Sequence, residues 1–337
     1  MTEKQGELLF QELERKIFEI YPFFKFGESH RSTIDGNISS QQYEFLIGQN
    51  AIRNSDYSVP KPGKFIHYTT LDSFCGIINS GELRLFNLHN LNDPYEFNHL
   101  IKEHELRIDP KMIEYFKKRL FVSSFCRYND NEGDDFNLWR LYGDNGLGVG
   151  IVFEVINSRE DWNSCLLGNV IYDSENELSQ KIIKAISLTN EYIGKGIDRI
   201  PKLLAQLLLY HKKKIWSIER ESRLSVFYDH NGYNQERDYN NPIFRDTLRT
   251  AIKSNGIVSS CISFPLEVKI NQQKNPSIAN DDFEKMKEFL PRLRIEKIIF
   301  GYRFNEKLFE SAKEYSMHIY SAKWNAYIKY EKSRLLD

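Results

Sequence analysis

The apolar positions change period several times along the chain, and each change marks an element. From Gly6 to Tyr21, Leu8, Leu9, Leu13, Ile17, Phe18 and Ile20 recur at helical spacing and predict an N-terminal helix. A polar stretch, Gly27 to Ser40, leads into a short expected helix over Gln41 to Arg53, and Ser58 to Lys64 reads as a Pro/Gly linker. The period then falls to two. Phe65-Ile66-His67-Tyr68-Thr69 is a predicted strand, after which Thr69 or Thr70 caps a helix through Asn79, with Asp72 in its first turn and Gly81 at its exit. Leu83 to Leu88 alternates as a second strand. Residues 100–119 form a charged amphipathic helix broken at Pro110, and Leu120 to Phe125 is a strand that enters an acidic loop (Asp130, Glu132, Asp134, Asp135).

Further on, Leu147 to Phe153 is an apolar strand, with Leu166 to Tyr172 expected as its neighbour. Helices are expected at 176–193 and 201–214, the second with Pro201 at its first helical position. Strands follow near 221–228, 262–269 and 296–300, then a helix at 305–316 and strands at 317–322 and 324–330. Strands dominate the middle without regular βαβ alternation, which predicts an α+β fold. The linker divides the chain into an N-terminal helical extension, 1–60, and a single α+β domain, 61–337.

Composition removes some function classes. With 41% hydrophobic and 28% charged residues the chain is globular, and 46 Lys plus Arg against 47 Asp plus Glu leave no global field for a nucleic acid. A local patch survives: from Leu178 to Leu224 ten Lys/Arg stand against four Asp/Glu. Cys75, Cys126, Cys165 and Cys261 are scattered, without a C-x-x-C pair or zinc-like His spacing, so free thiols in a cytoplasmic protein are expected. The charged start contains no secretory signal, and no apolar run approaches the roughly 18 residues of a membrane span, so no membrane partner is expected. The G-x-G-x-x-G and P-loop cradles are absent.

Candidate chemistry falls in four places. His67-Tyr68-Thr69 closes a strand, where a polar side chain can enter a cleft. Asn87, Asn90 and Asn92-Asp93-Pro94-Tyr95-Glu96 make a turn whose acids are also conceivable metal ligands, although no third ligand stands at a recognisable spacing. Trp139 and Tyr142 are spaced to share a helical face, with Gly143, Gly146 and Gly148 beside them to admit a flat ligand close to the backbone. Lys212-Lys213-Lys214, Trp216 and Glu219-x-Glu221-x-Arg223 lead into an apolar strand. Alternation would set both carboxylates and the guanidinium on one face. Each group also has a plain structural reading: a satisfied core histidine, a turn, an aromatic core pair and a solvated charge ladder.

In order, these blocks resemble the bacterial domain-of-unknown-function family numbered 2971, over about residues 64–329. The residues that carry the likeness are Phe65 to Thr70, Leu91-Asn92-Asp93-Pro94-Tyr95-Glu96, Ser124-Phe125, Trp139-x-x-Tyr142, Trp216-x-x-Glu219-x-Glu221-x-Arg223 and Ile298-Ile299-Phe300-Gly301. More distantly, the order His, aromatic, late Glu-x-Glu is similar to His-Tyr-Glu ADP-ribosyltransferases, the group that includes DarT toxins and RNA 2′-phosphotransferases. That likeness implies a central split antiparallel/mixed β-sheet core with flanking helices. It also implies NAD as substrate without a metal, and an acceptor that is a nucleic acid or a protein. It implies that His67 bonds the ribose of NAD and that Tyr142, with Tyr68 as competitor, stacks on nicotinamide. Glu221 or Glu219 would stabilise the oxocarbenium-like transition state, with Tyr68, Thr69, Asn92, Asp93, Trp139 and Arg223 lining the nucleotide. A toxin or phage-defence role follows from the likeness alone. The alternatives are a non-catalytic nucleotide-sensing or partner-binding module, and a hydrolase or nuclease using His67, Asp93, Glu96 and Glu221.

Overall fold

The computed structural model describes every residue except 1, 23, 25, 35–36, 46–51, 53–54, 60–62, 91–96, 157–161, 163–164, 173, 196, 198, 229–247, 253–255, 273–289 and 336–337. The Asn92–Glu96 turn therefore lies outside the described residues. The fold is α+β, a ten-stranded mixed sheet with flanking helices. The strands of the large sheet are β3 (Lys64–Thr69), β4 (Glu82–Asn87), β5 (Leu120–Arg127), β6 (Val149–Val155), β7 (Cys165–Asn169), β8 (Glu221–Phe227), β9 (Leu248–Ile252), β10 (Val258–Pro265), β11 (Leu293–Phe300) and β12 (Lys329–Lys332). A separate antiparallel pair, β1 (Phe26–Ile34) and β2 (Asn37–Phe45), precedes it. All pairings are antiparallel except β11 with β12.

Strand β5 is the branch point. Along one edge it pairs with β8 from Leu120 to Cys126. Its other edge is shared: β3 takes Cys126 and Arg127, and β4 takes Phe121 and Val122. Between them, residues 123–125 face a wedge where β3 and β4 part. The β3 half continues through β6 and β11 to β12, and the β4 half through β10 to β9.

One face of the sheet is covered by α2 (Leu71–Ser80), α8 (Glu267–Gln272) and α9 (Glu306–Trp324), around Phe74, Ile78, Leu85, Phe125, Phe300 and Trp324. The opposite face has two coverings. Under β3, β6 and β11 lies α5 (Phe136–Tyr142), with Trp139 at the centre of a small cluster. Under β5, β7 and β8 lie α4 (Pro110–Arg119), α6 (Glu177–Tyr192) and α7 (Lys202–Leu208), joined by α3 (His99–Glu103) and the N-terminal helix α1 (Glu3–Ile20). Leu13 and Ile17 of α1 are fully buried in that cluster, and Lys16 donates to Tyr192 of α6 at 2.9 Å.

Local chemistry explains much of this order. Thr70 caps α2 by accepting the Ser73 N–H, and Gly81 ends it at φ +65°, where an added Cβ would strike the Trp324 ring. Five expectations change. Residues 41–45 lie in β2, not in a helix, and the polar stretch from Gly27 supplies its partner β1. Strand β7 pairs with β8 rather than with β6. Pro201 precedes α7 as its cap, and α7 stops at Leu208 instead of reaching 214. Strand β10 ends at Pro265, beyond which residues 267–272 are helical. Residues 317–322 continue α9, because Phe309, Ser316, Tyr320 and Trp324 are buried at helical spacing. Among the described residues no helix is long and apolar enough to cross a membrane.

Candidate functional site

A polar cluster occupies the seam between the two coverings of that face. Strand alternation sets Glu221 and Arg223 on it: Glu221 pairs with Cys126, which pairs with Ile66 of β3, so all three side chains point towards α5 and α7. Glu219 is not on the strand as expected. It ends a 3-10 turn, Lys214–Glu219, and Arg220 at φ +43° turns the chain so that Glu219 arrives beside Glu221. Lys212 reaches both carboxylates, 2.8 Å from Glu219 Oε2 and 2.8 Å from Glu221 Oε2. Arg223 Nε donates to Glu221 Oε1 at 2.7 Å and Nη2 to Oε2 at 3.0 Å, while Nη1 donates to the Leu209 carbonyl at the end of α7.

Two cations thus neutralise two carboxylates out of contact with water. Burial by itself would raise the Glu221 carboxyl; the charges of Arg223 and Lys212 and their hydrogen bonds override it and hold the group at about 2. Glu221 is therefore a fixed anion at neutral pH and not a proton donor. Tyr142, at the end of α5, closes the cluster on the solvent side. The residue is 44% exposed and its hydroxyl donates to Glu219 Oε1. Burial and the Glu219 carboxylate both push this phenol far above its ordinary value, so it stays a donor. On the far side, the Glu221 N–H donates to the Tyr172 hydroxyl oxygen at 2.8 Å.

The remaining expected residues divide. His67 is half-buried and points to the opposite face, beside Phe125 at 5.8 Å between ring centroids. Its Nδ1 lies 2.9 Å from the Ser124 carbonyl, bridging the wedge where β3 leaves β5. Burial lowers its basicity, and the Ser124 carbonyl opposes this in part. The expected convergence of His67, Tyr142 and Glu221 on one cleft is corrected to two of the three, because alternation in β3 turns Ile66 and Tyr68 towards the carboxylates and His67 away. Tyr68 and Trp139 are buried against each other, centroids 4.9 Å apart at 79°, with Tyr68 accepting the Asp135 N–H and Trp139 donating to Asp134. They form core, and Trp139 does not share an open face with Tyr142. Thr69 ends β3 half-buried on the His67 side.

The glycines near Trp139 serve the fold. A Cβ at Gly148 would stand 2.2 Å from the Thr69 carbonyl, one at Gly301 would stand 2.3 Å from the Gly146 carbonyl, and one at Gly146 would meet the Tyr302 ring. The close approach expected of a flat ligand is made by the chain itself. Asn92, Asp93 and Glu96 lie outside the described residues, among which no group of three or more His, Cys, Asp or Glu side chains is placed to hold a metal ion.

Tyr172 was not singled out by the sequence, and Lys212 stood in the fourth block as part of a lysine run without a role in the site. The signal for Lys212 was its place directly after the buried run 203–211, which makes it the one lysine of three that the fold pulls inward. Comparison with known proteins adds one finding. Residues 138–224 match the model of a family described as "Protein of unknown function (DUF2971)", within the 64–329 region of expected resemblance. That stretch runs from α5 to β8 and contains Tyr142, Tyr172, Lys212, Glu219, Glu221 and Arg223. No curated protein and no solved structure matches the chain.

Proposed function

We propose that the chain is an NAD-consuming, ADP-ribosyltransferase-like enzyme that transfers ADP-ribose to a nucleic acid or protein, or hydrolyses NAD. The observation that carries this reading is the contact from the half-exposed Tyr142 hydroxyl to Glu219, which joins the surface to a fixed pair of carboxylates. In the proposed step the bond between the ribose C1′ and the nicotinamide nitrogen breaks, and its electron pair leaves with nicotinamide. The acceptor atom, or water, then bonds C1′ and loses a proton. The positive charge that builds on the ribose is stabilised by a preorganised carboxylate in a water-poor site. Glu219 is that group, exposed when a ligand displaces Tyr142, whose ring then faces the nicotinamide. Glu221, Lys212 and Arg223 fix its position. A toxin or phage-defence role belongs to the same proposal.

The test is release of nicotinamide from NAD by the full chain, with water, single-stranded DNA or protein offered as acceptor. Wild type should release it, and Glu219→Gln should not while keeping its fold. Binding of NAD without release under any of these conditions would favour a second reading, a non-catalytic nucleotide-sensing module. One observation supports that alternative: Glu221 is 3% exposed with both oxygens taken by Arg223 and Lys212, as in an ion cluster that serves structure.

A further inference from the structure

Strand β5 lies in the middle of the sheet, yet Ser124, near its centre, is exposed on the face that carries the carboxylate pair. Its neighbours on that face, Val122 and Cys126, are buried under the two different coverings, so Ser124 stands in the seam between them. It pairs with Arg223, two residues along β5 from Cys126 and so roughly 7 Å from the rung that carries Glu221. The backbone is open here as well. The Ser124 carbonyl is taken by His67 Nδ1 at 2.9 Å, and in an antiparallel strand the amide of a residue points the same way as its carbonyl. Neither β3 nor β4 pairs with Ser124, so its N–H is directed into the wedge between them. Strand β4 forms the opposite wall. Its register sets Phe86 against Val122, and two residues earlier Arg84 is exposed on the same face, at the level of Ser124. Among the described residues Arg84 has no ion-paired or hydrogen-bonded partner, and Glu82, its neighbour on that face of β4, is held by Lys269.

We propose that Ser124 and Arg84 form an anion subsite that holds a phosphate of the ligand whose sugar lies at Glu219. An amide and a hydroxyl on one wall and a guanidinium on the other direct their hydrogens into one gap. A carboxylate would be filled by the guanidinium fork alone, whereas a phosphate bound to that fork keeps oxygens for the Ser124 donors opposite. The placement also suits one extended ligand. Its anion sits in the wedge and its reacting sugar beside Tyr142, at two points of the same seam. That the ligand is NAD rests on the reading above; the anion subsite itself does not.

The test is calorimetric titration of the full chain with pyrophosphate, together with nicotinamide release from NAD. Pyrophosphate should bind saturably at one site. Arg84→Gln should weaken it by about tenfold or more, since it removes charge-assisted contacts, and Arg84→Lys should recover part of the loss. Ser124→Ala should weaken it by a smaller factor. Lys307→Gln, an exposed charge on α9 over the opposite face, should leave it unchanged. In the release assay Arg84→Gln should raise KM for NAD about tenfold with kcat little altered, because the phosphate does not react. Unaltered urea unfolding of the variants keeps the comparison valid. Absence of saturable heat at concentrations on the order of a millimolar would overturn the subsite. So would wild-type affinity in Arg84→Gln, or an equal loss in Lys307→Gln. Release of nicotinamide with KM unchanged in Arg84→Gln would remove the subsite from the reaction and leave the reading of the carboxylates standing. Pyrophosphate binding that depends on Arg84, in a chain that releases no nicotinamide, would keep the subsite and discard that reading.

Discussion

Two clusters of charge tie loops to strands in this molecule, and they differ in how much water they keep. Around Glu221, the side chains of Lys212, Glu219, Glu221 and Arg223 are between 0% and 10% exposed. Along β3, β11 and β12, Lys64 holds Asp130 and Glu296 at 2.5 and 2.8 Å, and Lys297 holds Asp130 and Glu331 at 3.2 and 3.4 Å, with exposures from 10% to 47%. The distances are alike, but water can replace a lost partner only in the second cluster. A member removed from the first leaves a buried charge behind. Geometry alone is thus a poor guide to what an ion pair contributes, and burial decides.

The widest gap between the two clusters should appear on removing one cation from each. Arg223→Met should cost about 3–5 kcal/mol, because Glu221 keeps Lys212 and loses its bidentate partner. Lys64→Met should cost less than about 1 kcal/mol. Urea unfolding of both variants measures the pair, and equal losses would break the distinction.

The next largest effect is in the pH dependence, and it reports how dry the first cluster is. His211 precedes Lys212 and is 1% exposed, its ring nitrogens 2.5 Å from Tyr57 Oη and 3.1 Å from Ser179 Oγ. Burial, with the nearby charges of His99 and Arg223, depresses it to about 3. A depressed histidine is protonated first in the unfolded chain. Its contribution to stability is therefore complete above about 6.5 and is lost as the pH falls towards 3, at about 1.4 kcal/mol per pH unit from this group. Glu221 adds its own loss only below its ordinary value of 4.5, as the pH falls towards about 2. Stability should therefore begin to fall near pH 6.5, before any carboxylate contributes, and the His211 ring resonances should not titrate in the folded protein down to about pH 4. A ring that titrates near its ordinary value would show water reaching the cluster.

The parts that were legible in sequence are those written in local pattern. Thr70, Asp72 and Gly81 announce α2 and its limits, and the spacing of Glu221 and Arg223 sets them on one face. Alternation equally implied that His67 and Tyr68 face opposite sides. What it could not supply was the neighbour of each strand. β5 takes three partners, β7 chose β8, and apolar alternation reads the same whichever strand lies alongside. Lys212 was hidden for the same reason. As the first of three lysines it reads as part of a basic surface, and only the turn that brings residue 219 back beside it reveals its two partners.

The smallest change probes the boundary between the dry cluster and solvent. Tyr142→Phe keeps the ring and deletes the hydroxyl that donates to Glu219. With Lys212 still on the other oxygen and the site's solvent side next to bulk water, the loss of stability should be about 1 kcal/mol, the worth of one hydrogen bond. This is well below the cost of Arg223→Met, although both residues contact the same pair of carboxylates. If the cluster is as closed as its exposures imply, water will not fill the place of the lost hydroxyl, and the cost will rise towards that of an unsatisfied buried acceptor, about 1–3 kcal/mol. Differential unfolding of Tyr142→Phe with and without the Glu219→Gln change separates the two cases. A double-mutant coupling near zero means that the mouth is already wet, and a large one means that Tyr142 is the seal of the cluster.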